Sequence, residues 1–150
     1  MALWISLAVA AALIFSGLTW LRPSPQEKRQ MECRQAARKM GLVPNVRSVS
    51  EWAKPRSSRP MQPFYSLAGG VGEHHFSVWK SADDWVGQGD SPGSHRAAEA
   101  LSEWLSQAPA GVLGVDANAS QIGAWWEYEQ SSHLDELKGW LQRCPRRKGL

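Results

Sequence analysis

Residues 17–30, GLTWLRPSPQEKRQ, are where an uncharged apolar run gives way to a basic, proline-punctuated segment. How this junction is read decides whether the chain is a cleaved, exported domain or a membrane-anchored one. Upstream, positions 2–21 carry no charge, and only Ser6, Ser16, Gly17 and Thr19 interrupt the apolar composition. Twenty residues at about 1.5 Å each match the roughly 30 Å of a bilayer's hydrocarbon. Trp4 and Trp20 stand near the two ends, where indoles favour the headgroup boundary, and Arg22 follows at once. A cleaved leader needs a charged n-region, a shorter core and small residues at the cut, and Leu18-Thr19-Trp20 does not supply them. The sequence therefore predicts a transmembrane helix over 2–21, with membrane-anchor residues Trp4, Trp20 and Arg22. The cations on its C-terminal flank predict an N-terminus outside and a cytoplasmic domain, at a bacterial inner membrane.

Downstream, Ser24-Pro25-Gln26-Glu27 combines a capping serine, proline at the first helical position and glutamate three residues after the cap. Gly41 is a fitting stop, so a basic juxtamembrane helix is expected over 22–41. At 100° per residue Cys33, Ala36, Ala37 and Met40 share one side and most of the cations the other. Lys28, Arg29, Arg34, Arg38 and Lys39 are accordingly the expected contacts to anionic lipid headgroups, at about 1 kcal/mol each. Residues 42–63, rich in Pro, Ser and Arg, read as a linker carrying a short edge strand at 43–49.

Charge is strongly segregated. Arg22 to Pro60 holds ten Lys/Arg against three Asp/Glu (+7), Met61 to Gln142 three against eleven (−8), and the tail from Arg143 four against none (+4). A basic zone beside something anionic, with an acidic domain held away from it, is the natural reading. An acidic fold tethered at a membrane makes nucleic acid a poor partner. The two cysteines, Cys33 and Cys144, lack any framework spacing and are expected as reduced thiols.

From 64 to 144 the pattern predicts a small α+β domain in the order ββα-ββα. Strands at 64–68 and 75–80 are joined by the Gly-rich turn GGVGEH, and a helix capped by Ser94 runs to about Gln107. A second hairpin spans 111–129, and a closing helix carries Leu134, Leu137, Leu141 and Cys144 inward. The expected architecture is a small antiparallel sheet with two helices on one face, followed by a basic tail at 145–150.

No catalytic, cofactor or metal residues are assigned. GGVGEHH lacks the lysine and hydroxyl of a phosphate loop, and His74 and His75 are adjacent, so a strand would point them to opposite faces. Asp83, Asp84 and Asp90 lack calcium-loop spacing. Glu127 and Glu129 share a strand face, and Glu127 with His74 or His75 defines the one enzymatic alternative. The composition is unusual in its nine tryptophans. Tryptophan is enriched at binding hot spots, which makes Trp79, Trp85 and Trp125 the candidate partner-binding residues.

The segment LRPSPQEKRQMECRQAARKMGL resembles the juxtamembrane part of the small (YajC-like) accessory subunit of the bacterial Sec preprotein translocase. Arg22, Pro23, Gln26, Lys28 and Arg29 carry the likeness, and Gly69-Gly70 resembles that family's Gly-Gly turn. The family's Lys-Gly-Asp step is missing, and no functional residue carries over. The expected function is a single-pass inner-membrane protein whose cytoplasmic domain binds another protein, as an accessory or assembly factor of a membrane complex. The alternatives are a Sec accessory subunit and a membrane-tethered enzyme.

Overall fold

The computed structural model of this chain describes residues 2–20, 24–70, 75–88 and 92–145. Helix α1 (Ala2–Trp20) comes first, then α2 (Pro25–Lys39). Among the described residues no helix is long and apolar enough to cross a membrane, which corrects the transmembrane helix expected over 2–21. Helix α1 has 19 residues, about 28 Å of axial rise against about 30 Å of hydrocarbon. Trp4 is exposed; the side chain of Trp20 and all of Arg22 lie outside the described residues, as do 146–150 of the expected basic tail.

Helix α2 begins as its sequence dictates. The Ser24 hydroxyl accepts from the Glu27 amide at 3.2 Å, and the Ser24 amide donates to Glu27 Oε2 at 2.7 Å, a reciprocal capping box with Pro25 at the first turn. Gly41, at φ +83°, ends it in a conformation that suits glycine.

One six-stranded antiparallel sheet organises the rest: β1 (Leu42–Ser48), β2 (Met61–Ala68), β3 (Phe76–Ser81), β4 (Asp84–Gly87), β5 (Val112–Ala117) and β6 (Gln121–Trp126), in the order β1-β2-β6-β5-β3-β4. This differs from the sequence expectation in three ways. Half of the supposed linker 42–63 is sheet, because β1 pairs with β2 over its whole length, from Leu42↔Leu67 to Ser48↔Met61. The strands on either side of GGVGEH are not hairpin partners: β2 pairs with β1 and β6, and β3 with β5 and β4. The acidic loop after Lys80 contains β4, joined to β3 by a two-residue turn at Ala82-Asp83. Only the β5–β6 hairpin around Asn118 lies where the pattern put it. There the Asn118 side chain accepts from the backbone amides of Ser120 and Gln121, an Asx-type turn.

The helices α2, α3 (Pro92–Ala100), α4 (Ser102–Ser106) and α5 (Leu134–Gln142) share one core with one sheet face. Cys33 and Ala37 of α2 enter it beside Tyr65, Ala124 and Trp126, so α2 is part of the folded domain. Ser94 lies inside α3, and its hydroxyl accepts from the Ser77 amide on β3 instead of capping the helix. Helices α4 and α5 are clasped by two tryptophans. The Trp104 and Trp140 rings stack at 4.3 Å, and each indole N–H donates to the other's backbone carbonyl at 2.9 Å.

The opposite sheet face has its own smaller core of Val49, Ala53, Phe64, Trp79 and Trp125, with Trp52 and Leu113 against it. Residues 49–56 of the Pro/Ser/Arg-rich segment supply the cover, through a turn and a short 3-10 helix at Lys54–Arg56. Strand β1 forms a protected edge: Pro44 has no N–H, and the Val46 amide is taken by Asn45 Oδ1 at 2.8 Å.

Candidate functional site

The most connected polar cluster lies where α2 crosses β2 and the segment after β6. Glu129 is the centre. Its carboxylate accepts from the Tyr65 hydroxyl at 2.8 Å and from Arg34 Nε at 3.0 Å, with Arg34 Nη2 at 3.4 Å from the second oxygen. Tyr65 has one hydroxyl proton, and it goes to Glu129, so the Cys33 thiol, at 3.7 Å, is the donor to the Tyr65 oxygen. The order is Cys33 to Tyr65 to Glu129, with Arg34 closing on the carboxylate.

The electrostatics make this a clamp, not a reactive centre. Burial pushes the Cys33 thiol up, against the opposing influence of its contact with Tyr65, so little nucleophilic thiolate forms at neutral pH. Burial and then the bond to Glu129 push the Tyr65 phenol far above its ordinary value. The hydrogen bond to Glu129 raises Arg34 as well, keeping it charged. Neither Cys33 nor Cys144 forms a disulfide, and both are buried. Beside the clamp lies a polar cleft of about 550 Å³, where Arg29, Glu32, Glu127 and Ser131 are among the lining residues.

The clamp redistributes the expected lipid contacts. Lys28, Arg38 and Lys39 are exposed on the outer side of α2, and Arg29 is exposed on the cleft rim. Arg34 is not on that face, because its guanidinium is committed to Glu129. Sequence periodicity missed this, since Glu129 is ninety-five positions away.

The candidate partner tryptophans also separate. Trp79 and Trp125 are buried, 2% and 4% exposed, and pack together at 5.4 Å between ring centroids under the 49–56 cover. They are core residues, which corrects their assignment as binding candidates. Trp85, at the far edge of the sheet on β4, is half-buried and remains reachable.

Of the enzymatic alternative, His75 does not meet Glu127. His74 lies outside the described residues, and His75 Nε2 contacts Asp116 Oδ1 at 3.3 Å. Glu127 follows β6 at the other end of the sheet, its amide bonded to Gly111, about six residues or 20 Å along the strands from His75. Asp116 also faces Arg47, at 3.7 Å, which reaches across the Phe64 ring from β1. Burial nonetheless holds the Asp116 carboxyl above its ordinary value, with His75 and Arg47 pulling the other way. Among the described residues no group of three or more His, Cys, Asp or Glu side chains is placed to hold a metal ion. No protein-family model, curated protein or solved structure matches this chain.

Proposed function

We propose that this chain is an accessory or assembly factor of a membrane complex in the bacterial inner membrane, with an acidic α+β domain that binds another protein. One observation carries the reading. Every described side chain of α1 from Trp4 to Gly17 is exposed, among them Trp4, Ile5, Leu7, Val9, Leu13, Ile14 and Phe15, and none belongs to either core. Seven such side chains at about 1.5–3 kcal/mol each give, even at partial burial, on the order of 8 kcal/mol on leaving water. An apolar surface of this extent marks an interaction site.

The cations next to it indicate which apolar environment is used. Lys28, Arg38 and Lys39 point away from the core and suit an anionic leaflet, which adds about 1 kcal/mol per residue near the surface. Anionic lipid is enriched on the cytoplasmic leaflet, so the domain sits on that side. The clamp on Glu129 then has a mechanical role. It holds the basic face of α2 rigidly on the domain, which fixes the domain's orientation to the lipid. The excess of acid in the domain keeps it off the lipid and turned toward a protein partner.

The test is vesicle co-sedimentation of the full chain. Binding to vesicles containing about a third phosphatidylglycerol should exceed binding to pure phosphatidylcholine. Replacing Lys28, Arg38 and Lys39 together by Gln should weaken it by about 100-fold, as three contributions of about 1 kcal/mol require. Equal binding to both vesicle types would remove the lipid half of the proposal. Affinity purification of the intact protein from membranes tests the other half, and recovery of a Sec translocase subunit would single out that machinery.

A further inference from the structure

Trp85, half-buried against the edge of the larger core, sits in a groove with a definite chemical character. Strand β4 is held under α3 by close backbone contact: a Cβ on Gly87 would meet Ser94 C and O at 2.4 Å and the His95 amide at 2.6 Å. Between the β3–β4 hairpin and α3–α4 a groove of about 490 Å³ remains, a size that accommodates small ligands or side chains. Its floor is apolar, built from Trp85, Ala98, Leu105 and Ala108. Its rim carries Asp83, Asp84 and Glu99, all exposed and with no ion pair among the described residues. Lys80, cross-strand from Trp85, lines the same groove, so three carboxylates face one ammonium.

Two further features set this groove apart. The hairpin that presents Asp83, Asp84 and Trp85 turns through Ala82 at φ +51°, among the described residues the non-glycine position with positive φ. A strained backbone held at an exposed site costs stability that the fold recovers elsewhere. The Trp85 indole N–H has no hydrogen-bond partner among the described residues and is not enclosed, unlike those of Trp52 and Trp125. It is a donor available to a backbone carbonyl.

We propose that this groove seats a basic segment of a partner protein, an apolar residue lying against Trp85 and Arg or Lys side chains pairing with Asp83, Asp84 and Glu99. This rests on the protein-binding reading above and gives that reading a site and a partner chemistry. Charge complementarity selects the occupant. An anionic rim on a domain whose residues 61–142 carry −8 repels phosphate, lipid headgroups and nucleic acid, and attracts a cationic peptide. A tryptophan anchor in a partly desolvated pocket is the usual centre of a protein hot spot.

The experiment uses the intact chain in its own membranes. Ser102, exposed on the groove lining, is replaced by a photo-crosslinking benzoylphenylalanine, and the cross-linked peptide is sequenced. In parallel, partner retention is compared for the unaltered chain, for Trp85→Ala, and for the exposed-charge variant Asp83→Asn/Asp84→Asn/Glu99→Gln, whose surface substitutions leave the fold intact. The expected result is a cross-link into a Lys/Arg-rich segment of another protein. Retention should fall at least about tenfold for Trp85→Ala and about three- to tenfold for the charge variant. Undiminished retention by both variants would overturn the groove while leaving the protein-binding reading standing. Retention of no partner by the unaltered chain would bring down both. A cross-link into residues 146–150 or into the 54–60 segment of a second copy would replace the partner with this chain itself and refute the proposal.

Discussion

Replacing Glu129 by Ala should loosen α2 from the domain at a cost of about 3 kcal/mol. The figure follows from its partners. The Tyr65 hydroxyl is fully buried and donates to an ionised acceptor at 2.8 Å, an interaction whose loss costs about 1.5–3 kcal/mol. The Arg34 pair adds less, on the order of 0.5–1 kcal/mol, because that side chain is a third exposed (34%) and solvent screens it. At roughly 4 °C per kcal/mol for a domain of this size, the midpoint should drop by about 12 °C. The assay is thermal and denaturant unfolding of the full chain in detergent, followed by tryptophan fluorescence, since Trp126 lies 5.5 Å from the Tyr65 ring. Tyr65→Phe should cost about 1.5–3 kcal/mol on its own, and the double variant should fall short of additivity by about 1–2 kcal/mol. Hydrogen exchange gives a second readout: α2 amides should lose protection in the Glu129 variant before the sheet does. The raised phenol adds a pH signature. Its stabilisation is complete below the ordinary tyrosine value near 10 and is lost as pH climbs past it. A cost below about 0.5 kcal/mol, full additivity, or unprotected α2 amides in the unaltered protein would each refute the idea that this cluster docks the helix.

Three other substitutions probe separate parts of the fold. Ala82→Asn relieves a left-handed alanine in the β3–β4 turn and should raise stability by several tenths to about 1 kcal/mol, read as a higher thermal midpoint. Gly123→Ala places a Cβ 2.4 Å from the Phe64 ring and 2.9 Å from the Tyr65 carbonyl on a central strand, so it should destabilise by about 2–3 kcal/mol in denaturant titration. Asp116 has its folded value raised, so its favourable contribution exists below about pH 4 and is lost as pH rises through the folded value. Asp116→Asn should therefore gain on the unaltered protein as pH rises above the ordinary aspartate value near 4; a stability difference that does not change with pH there would contradict the assignment.

Local patterns carried a good deal of this structure. The capping box at Ser24–Glu27, the stop at Gly41, the β5–β6 hairpin and the alternation of Ile122, Ala124 and Trp126 all follow from short-range rules, and they formed accordingly. What failed were the inferences about residues 42–63 and the tryptophans, which needed distant partners. Residues 42–63 look like a linker because Pro, Ser and Arg dominate them, yet β1 is sheet because β2 completes its hydrogen bonds, and Val49 and Ala53 are buried because Phe64 and Trp125 need a cover. Trp125 and Trp126 point to opposite faces, as strand geometry requires, but only the second core made both of them interior.

The sequence by itself determined an apolar N-terminal helix, a basic segment after it and an acidic α+β domain, because composition, charge order and capping signals are local properties of the chain. Tertiary structure alone decided which of those features remain available. Arg34 left the basic face because Glu129, nearly a hundred positions away, lies within reach of it. Trp79 and Trp125 left the pool of binding residues because the 49–56 segment folds over them. Trp85 stayed because it stands on β4, the short edge strand, where the sheet has no further neighbour to complete its cover. Long-range packing consumes side chains that local rules can only nominate, and the function rests on the ones it leaves.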